Sequence, residues 1–512
     1  MTSQGMGGDD EVRAFMQQFQ VLLQRMSVEL GPEDEGGEPL VQVLTAHLGA
    51  PAEQLAVVTE EIPVHRLVDA DIALEELAAP DAEARLIGIG GGDVRHHFTL
   101  GDLLQAGRFG PGRVPVGQVD YLRLATGPRS EDTRPVISAG VRLFRHGGGP
   151  VAVRVLGRNP HVGRESAVFE VLAPERGVAE ELVARLREVM DERSIMRGQV
   201  ITLAEDPYGP GLAGVAFIER PALTPDDVVL PPGELDRIEH HVVGIGQHRA
   251  LLQEHGQHLK RGILLYGPPG TGKTHTVRYL LSVTPGTTAV LLSGGALRHI
   301  HAAAKIARAH QPSIVVLEDV DLVAEDRSFT MGPQPLLFEV LDALDGLDAD
   351  ADVAFLLTTN RVEDLEVALA QRPGRVDLAA QIPLPDLDGR LALLRLYGRH
   401  LFGDEALAAA AERAEGTTAS FAKELVRRAV LGAALEETAP ADRHLGEALD
   451  GLLSDSETLT RSLLGVSCGG EGPEGMAPDG VPGLEGPAWA GPMPGRVRHG
   501  GGRGWFAYAP RR

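Results

Sequence analysis

The clearest chemical pattern in the sequence is a glycine-rich loop followed by lysine and threonine. Residues 262–274 read GILLYGPPGTGKT, in which Gly267, Gly272, Lys273 and Thr274 fit the spacing G-x-x-x-x-G-K-[ST]. Such glycines let successive backbone N–H groups turn inward around phosphates, and the following helix adds the positive end of its dipole. The pattern predicts that Lys273 reaches the β- and γ-phosphates of a nucleotide and that the Thr274 hydroxyl binds Mg²⁺.

The scarcity of lysine makes this match specific. The 512 residues contain only Lys260, Lys273, Lys305 and Lys423, and arginine carries almost all of the positive charge. A Gly-x₄-Gly spacing arises easily in a glycine-rich chain, where it marks a simple turn, but the lysine after it does not. The predicted nucleotide-binding residues of the loop are Gly267, Pro268, Pro269, Gly270, Thr271, Gly272, Lys273, Thr274 and His275.

A pair of acids follows a second apolar run. Residues 314–317 (IVVL) precede Glu318 and Asp319, and Asp321 comes two positions later. Carboxylates at the tip of a buried strand can hold Mg²⁺ and polarise the water that attacks a phosphate. We expect Glu318, together with Thr274, to take the metal role and Asp319 the role of the base. The alternative is that these acids lie in a solvated loop.

Polar residues further along the chain extend the pattern. Asn360 follows the apolar run 353–359, where an amide can orient the attacking water and sense the γ-phosphate. Arg372 and Arg375 lie in the sequence RPGR, whose turn presents both guanidinium groups rigidly. Without the other motifs, the Asn would be interpreted as a turn residue and the arginines as part of a solvated surface turn.

The elements that position these residues are strands alternating with helices, which predicts an α/β fold with a central parallel sheet flanked by helices. We expect this P-loop domain at 226–386 and a small helical lid at 387–466. Before it we expect an N-terminal helical or flexible segment at 1–49 and a separate mixed α/β domain of unknown role at 50–225. A disordered tail rich in Gly and Pro is expected at 467–512.

Short runs with alternating polarity predict strands in the N-terminal half of the chain, at 120–124, 151–156, 167–171 and 199–203. A helical face of apolar residues is predicted between 178 and 190. The turn-rich segment 221–227 is the expected linker to the P-loop domain. No residue pattern in this half points to a particular chemistry.

The composition restricts the partners and the location. The net charge of −24 repels phosphate backbones, which makes nucleic acid an improbable partner. The sequence has no apolar stretch of 18 residues, so we expect no membrane span, and its acidic N-terminus lacks the features of a secretion signal. Cys468 is the only cysteine, so no intramolecular disulfide can form. These features favour the cytoplasm.

Taken together, these motifs resemble the AAA ATPase family of the AAA+ class. Residues 258–274 look like its Walker A region, 313–321 (SIVVLEDVD) like its Walker B region, and 342–378 like its second region of homology. The resemblance implies ATP and Mg²⁺ as ligands and ATP hydrolysis in a ring, expected to be a hexamer, that remodels a protein client. It also implies Asn360 as sensor-1 and Arg372 and Arg375 as arginine fingers. Val243 and Gly244 would pack against the adenine.

The chain departs from the family pattern in three ways. The Walker B pair is Glu318-Asp319 instead of Asp-Glu, and similar swaps occur in the branch of the mitochondrial Rieske-protein translocase, which shares a run like FEVLDALDG. Residues 293–312 contain no aromatic-hydrophobic-glycine pore motif, and no sensor-2 arginine can be placed near 417–430. A nucleotide-gated scaffold with little hydrolysis is therefore the alternative to a hydrolysing remodeller. Other P-loop enzymes are disfavoured: a kinase needs an acceptor site in addition to a lid, and a GTPase needs the guanine-selecting Asn-Lys-x-Asp, which is absent.

Overall fold

The computed structural model of the protein describes residues 38–92, 94–109, 114–160, 163–205, 212–321, 350–361 and 376–454. Most of the segment predicted at 1–49 and the whole tail predicted at 467–512 lie outside these ranges. Within them, no helix combines the length and apolar character needed to cross a membrane.

The N-terminal region forms an antiparallel sheet. Among the described residues its strand order is β1-β7-β6-β5-β2-β3, with β4 paired to the first half of β5. The strands are β1 (Val57–Ile62), β2 (Arg85–Ile89), β3 (Val116–Gly117), β4 (Asp120–Ala125), β5 (Thr133–His146), β6 (Gly149–Leu156) and β7 (Ala167–Leu172). The strands predicted near 120, 151 and 167 thus occur as β4, β6 and β7.

Helices cover this sheet on both faces. They are α1 (Leu40–Leu48), α2 (Leu67–Ala78), α3 (Val94–His97), α4 (Leu100–Phe109) and α5 (Arg176–Glu192). The apolar faces of α2 and α5 form one core with the sheet, and α1 and α4 form a second core on its other side. Because α1 is part of that second core, the folded domain begins before residue 50. We name this region, from 38 to 192, the N-terminal domain.

The second sheet is mostly parallel and contains the P-loop strand. Its order within the described ranges is β14-β10-β13-β12-β11-β8-β9. The strands are β8 (Val200–Glu205), β9 (Leu212–Ile218), β10 (Arg261–Tyr266), β11 (Thr288–Ser293), β12 (Ser313–Glu318), β13 (Val353–Thr359) and β14 (Leu378–Gln381). We call it the catalytic sheet. It begins before residue 226, where the sequence predicts that the P-loop domain starts, because β8 pairs in parallel with β11.

Apolar side chains on both faces explain the continuous runs in β10 to β13. Every residue of β13 is buried, and all of β12 is buried except Glu318 at its tip. One face of the sheet packs on α10 (Ile300–Ala309) and the other on α6 (Glu234–Glu239) and α9 (Lys273–Ser282). A π-helical turn (His240–Gly244) and the short helices α7 (Ile245–Gln247) and α8 (Arg249–Glu254) complete the flanking segment.

A bundle of helices follows the catalytic sheet, in the region where the sequence predicts the lid, and we call it the lid. Its members are α11 (Leu387–Gly398), α12 (Asp404–Arg413), α13 (Ala419–Leu435) and α14 (Asp442–Leu453), which share one apolar core. The Asp386 carboxylate accepts a hydrogen bond from the Gly389 amide at the start of α11, and the Thr418 hydroxyl accepts one from the Phe421 amide at the start of α13. Such caps fix where a helix begins, so they fix the end of α13 that faces the P-loop.

Candidate functional site

The loop between β10 and α9 adopts a conformation that only glycine tolerates. Gly267, Gly270 and Gly272 have φ values of +147°, +75° and +112°. A Cβ atom on Gly267 would lie 2.1 Å from the carbonyl oxygen of Ile382. The first glycine of the motif is therefore required both for its backbone angle and for close contact with the segment that follows β14.

Lys273 is folded into this loop. Its ammonium donates hydrogen bonds to the carbonyl oxygens of Gly267 and Pro268, both at 2.8 Å. Burial lowers the pKa of Lys273, whereas the charges of Asp319 and Asp321 act in the opposite direction. The acidic strand tip and the lysine of the loop are thus close enough to interact, as the sequence predicts.

The two residues predicted to bind Mg²⁺ lie together. The Thr274 side chain lies close enough to Glu318 to act against the rise in the pKa of that carboxyl. Burial and the neighbouring Asp319 raise the pKa of Glu318, while Arg278 and Thr274 counteract this shift. Arg278 lies one helical turn after Thr274 on α9, so it approaches the same carboxylate. Oxygen atoms of a hydroxyl and a carboxylate are donors that suit Mg²⁺.

Asp319 and Asn360 meet at the ends of adjacent strands. The Asn360 amide nitrogen lies 3.4 Å from Asp319 Oδ1 and 3.4 Å from Asp321 Oδ2. Asp319 has a φ of +52°, and its N–H donates a hydrogen bond to the Thr358 hydroxyl at 3.0 Å. These bonds hold Asp319 in a left-handed conformation that turns the chain sharply after β12.

Asp321 fixes the end of β13, a role that the sequence did not reveal. It is buried, and its carboxylate accepts hydrogen bonds from the Thr359 hydroxyl at 3.1 Å and from the Asn360 N–H at 3.2 Å. Because β13 lies between β10 and β12, the phosphate loop and the acidic strand tip flank Asn360. Asp321 therefore positions the Asn360 amide between the phosphate loop and the acidic strand tip.

A cleft of about 470 Å³ separates the phosphate loop from the lid. Ser420 at the start of α13 donates a hydrogen bond from its N–H to the Gly270 carbonyl at 3.1 Å. Lys423 lies one turn further along α13 and lines the cleft opposite Lys273. The cleft is lined by Pro269, Gly270, Gly272, Lys273, Thr274, His275, Arg278, Asp319, Asn360, Tyr397, Ala419, Ser420 and Lys423.

Lysine is concentrated at this cleft although the chain is acidic. Lys273 and Lys423, two of the four lysines in the sequence, line it together with Arg278. These three cations give the cleft local positive charge on a chain whose net charge is −24, which favours the binding of an anion there. The rarity of lysine is the signal that could have identified Lys423, which the sequence interpretation left without a role.

Three groups of predicted site residues differ in outcome. The loop residues, Glu318, Asp319 and Asn360 come together as described above. Val243 and Gly244 do not line the cleft: the neighbouring Val242 carbonyl accepts a hydrogen bond from Arg261 at the start of β10, whereas the phosphate loop follows the end of that strand. Arg372 and Arg375 lie outside the described residues.

Comparisons with known proteins find relatives of the region that contains the phosphate loop. Residues 263–384 match the model of the ATPase family associated with various cellular activities (AAA). The proteasome-activating nucleotidase of Pyrococcus horikoshii is 28% identical over 292 residues, which cover 54% of this chain and 72% of that protein. The nucleotidase of Pyrococcus furiosus is 27% identical over 293 residues, covering 54% and 73%.

A second kind of relative shares the same region. The ATP-dependent zinc metalloprotease FtsH of Cutibacterium acnes is 29% identical over 272 residues, which cover 50% of this chain and 38% of that protein. The family match covers the strands and the helix α9 on the phosphate-loop side of the cleft, and the lid residues that line the cleft follow it in sequence. The family match is thus confined to residues 263–384, and the N-terminal domain precedes it.

Proposed function

We propose that the protein binds ATP with Mg²⁺ between its phosphate loop and its lid and hydrolyses it. The observation that carries the proposal is that Lys273, Thr274, Asp319 and Asn360 line one cleft, with Glu318 beside Thr274. The AAA family match over residues 263–384 supports the same reaction.

Each side chain has a distinct task in this proposal. Lys273 exchanges its bonds to the loop carbonyls for contacts to the β- and γ-phosphates, and the N–H groups at the start of α9 add further donors. Thr274 and Glu318 would hold Mg²⁺, whose charge would offset that of the phosphates. Asp319 accepts a proton from the attacking water, which Asn360 orients.

An apolar pocket of about 340 Å³ next to the loop is the proposed adenine site in place of 243–244. Ala419 borders both this pocket and the cleft, and Thr271 of the phosphate loop borders the pocket. The pocket walls come from the segment 229–232 and from the start of the lid, and they include the four prolines Pro231, Pro232, Pro383 and Pro385. Apolar walls of this kind bind the two faces of a purine ring.

Phosphate release by the purified protein tests the reaction. Replacement of Lys273 by Ala removes the ammonium that binds the phosphates, so we expect turnover to fall at least about a hundredfold. Lys305→Ala is the matched control, because this lysine lies outside the cleft. Equal turnover by the wild type and the Lys273→Ala variant would refute the proposal.

We further propose that the subunits form a ring, expected to be a hexamer, that this ring works in the cytoplasm, and that ATP turnover in it remodels a protein client. The support is the resemblance to the AAA family, which implies a ring, together with Arg372 and Arg375 in the second region of homology. An arginine supplied by a neighbour stabilises the charge of the transition state.

Mixed assemblies test whether sites are shared between subunits. Arg372→Ala keeps its phosphate loop but lacks the finger, whereas Lys273→Ala keeps the finger but lacks the loop. If one subunit completes the site of its neighbour, mixing the two inactive variants restores part of the turnover. If the turnover of the mixture is only the sum of the residual turnovers of the two variants, Arg372 does not act on the site of a neighbouring subunit.

A nucleotide-gated scaffold remains the second candidate because of the acidic pair. Asp319 is one methylene shorter than the usual Glu, and its left-handed backbone turns it sharply away from β12. Tight ATP binding without phosphate release would favour the scaffold, as would a gain in turnover in Asp319→Glu. Loss of turnover in Asp319→Glu would show that the native pair is tuned, as expected if the resemblance to the Rieske-translocase branch holds.

A further inference from the structure

The N-terminal domain is joined to the catalytic sheet by more than a peptide linker. Directly after the segment 193–199, β8 pairs with β11, and the Gly198 N–H donates a hydrogen bond to the Thr288 hydroxyl at 3.0 Å. The Gln199 carbonyl accepts a hydrogen bond from the Ala289 N–H at 2.8 Å. The chain that leaves the N-terminal domain therefore becomes a strand of the catalytic sheet directly after the turn segment 193–199.

A buried polar chain crosses the same boundary. Asp69 on α2 is fully buried and accepts hydrogen bonds from the Ser194 hydroxyl at 2.8 Å and from the Ile195 N–H at 2.9 Å. The Ser194 oxygen lies 3.3 Å from Nε2 of His310, which is 1% exposed. Since Ser194 donates its single proton to Asp69, His310 must donate to Ser194 from Nε2.

His310 links this chain to the strand that carries the acidic pair. It lies between the end of α10 and the start of β12, whose tip is Glu318. On the other side, Arg66 donates a hydrogen bond to Asp69 at 2.9 Å and pairs with Asp191 at the end of α5. The polar chain thus runs from two helices of the N-terminal domain to the base of β12.

Arg220 makes a second connection, to the helix of the phosphate loop. Its guanidinium donates hydrogen bonds to the carbonyl oxygens of Leu281 and Thr284 at the end of α9, at 2.6 and 3.1 Å. It also donates to the carbonyls of Gly198 and Thr287, at 3.1 and 2.6 Å. One side chain after β9 therefore ties α9 to the segment that leaves the N-terminal domain.

We infer that the N-terminal domain is locked to the catalytic sheet through Asp69, Ser194, His310 and Arg220, so that the two move as one rigid body during the nucleotide cycle. We call this connection the N-terminal junction. Buried hydrogen bonds of this kind fix one relative orientation, since a rotation would leave the Asp69 carboxylate buried without its partners. Nucleotide-driven movement then occurs at the lid.

Distances between spin labels test this inference in the full-length protein. Cys468→Ser removes the only cysteine. Ala184→Cys on α5, Glu254→Cys on α8 and Glu412→Cys on α12 place labels at exposed helical positions of the N-terminal domain, the catalytic region and the lid. Labelled subunits are diluted with unlabelled ones, and distances are compared with ADP and with a slowly hydrolysed ATP analogue.

We expect the 184–254 distance to be the same with both nucleotides and the 254–412 distance to shift. In Ser194→Ala, the 184–254 distribution should broaden while the lid pair still responds. His310→Gln, whose amide can donate to Ser194, should behave as the wild type, and so should Ser130→Ala, an exposed serine of the N-terminal domain.

Two results would overturn the inference. One is a nucleotide-dependent shift of the 184–254 distance in the wild type as large as that of the lid pair. The other is a 184–254 distribution that stays equally narrow in Ser194→Ala. The inference rests on the proposed function only in that ADP and an ATP analogue are the ligands used to change the state of the protein. If ATP is not bound, neither pair responds and no phosphate is released, which is a separate outcome.

Discussion

The two junctions of the catalytic sheet are built in opposite ways. At the N-terminal junction, a strand, a buried carboxylate and a guanidinium join the two sides, and Ile195 packs against the apolar cores of both. The other connection, which we call the lid junction, consists of residues 382–386 and the contact of Ser420 with Gly270, and it borders the cleft. From this contrast we expect a ligand bound in the cleft to move the lid and to leave the N-terminal domain in place.

The largest expected effect comes from removing the buried carboxylate of the N-terminal junction. Asp69→Ala leaves Arg66, Ser194 and the Ile195 N–H without their acceptor, so we expect a loss of about 3–5 kcal/mol in the free energy of unfolding. Urea denaturation measures this loss. Asp450→Ala in the lid breaks an exposed pair with Arg413 and should cost less than about 1 kcal/mol. Similar losses of unfolding free energy in Asp69→Ala and Asp450→Ala would contradict the idea that buried hydrogen bonds hold the N-terminal junction.

A methyl group at Gly267 should disturb the lid junction selectively. The new Cβ would meet the Ile382 carbonyl, and the backbone angle is strained for any other residue, so we expect a cost of about 2–3 kcal/mol. Gly272→Ala is the matched control, because it has a positive φ but no atom within 4 Å of its Cβ. The free energy of unfolding, measured by denaturation, should be lower for Gly267→Ala than for Gly272→Ala. The reverse order would contradict the close contact between Gly267 and Ile382.

Lys423 allows a test of whether the lid senses the nucleotide. If its ammonium contacts the γ-phosphate, Lys423→Ala should weaken binding of a fluorescent ATP analogue about tenfold and leave that of the ADP analogue unchanged. Lys423→Arg should restore most of the affinity, and Lys305→Ala should have no effect. An equal loss for both nucleotides would assign Lys423 to general attraction of anions.

Acid should weaken the N-terminal junction through His310. Burial, reinforced by Arg66 and Arg197, lowers the pKa of His310 to about 4, and burial lowers that of His65 at the same boundary to about 4 as well. The unfolded chain binds a proton at each histidine near pH 6.5, so it binds more protons than the folded chain between about pH 6.5 and 4. Stability from these groups is therefore present above pH 6.5 and lost as the pH falls.

Denaturation at pH 7.5 and pH 5 checks this dependence. Asp69 acts in the opposite direction because burial raises its pKa, so the comparison that isolates His310 is between the wild type and His310→Gln. The variant should lose less stability on acidification than the wild type. An equal loss in both proteins would mean that His310 does not contribute.

The parts of the fold that the sequence predicts are those with local signals. Strands β10 to β13 can be predicted as apolar runs because both of their faces are covered. The phosphate loop can be predicted because its backbone angles favour glycine at fixed positions. Glu318, Asp319 and Asn360 follow strand ends, so their meeting at one edge follows from a parallel sheet. The helices of the lid are evident from their composition.

The remaining features depend on contacts between distant residues. The strand predicted at 199–203 has the expected pattern, but no pattern shows which sheet a strand joins, and β8 belongs to the catalytic sheet. Asp321 and Lys423 act across elements far apart in sequence. Val243 and Gly244 were placed by resemblance, and the π-helical turn holds them near the start of β10, away from the loop.

A triphosphate held between the phosphate loop and the lid is the feature on which the proposed function depends, and direct titration tests it. A fluorescent ATP analogue is titrated with Mg²⁺ into the wild type, Lys273→Ala and Lys305→Ala. We predict saturable binding to the wild type and to Lys305→Ala, and affinity at least about a hundredfold weaker in Lys273→Ala. Equal affinity in the wild type and Lys273→Ala, or no binding to the wild type, would contradict the assignment of this cleft.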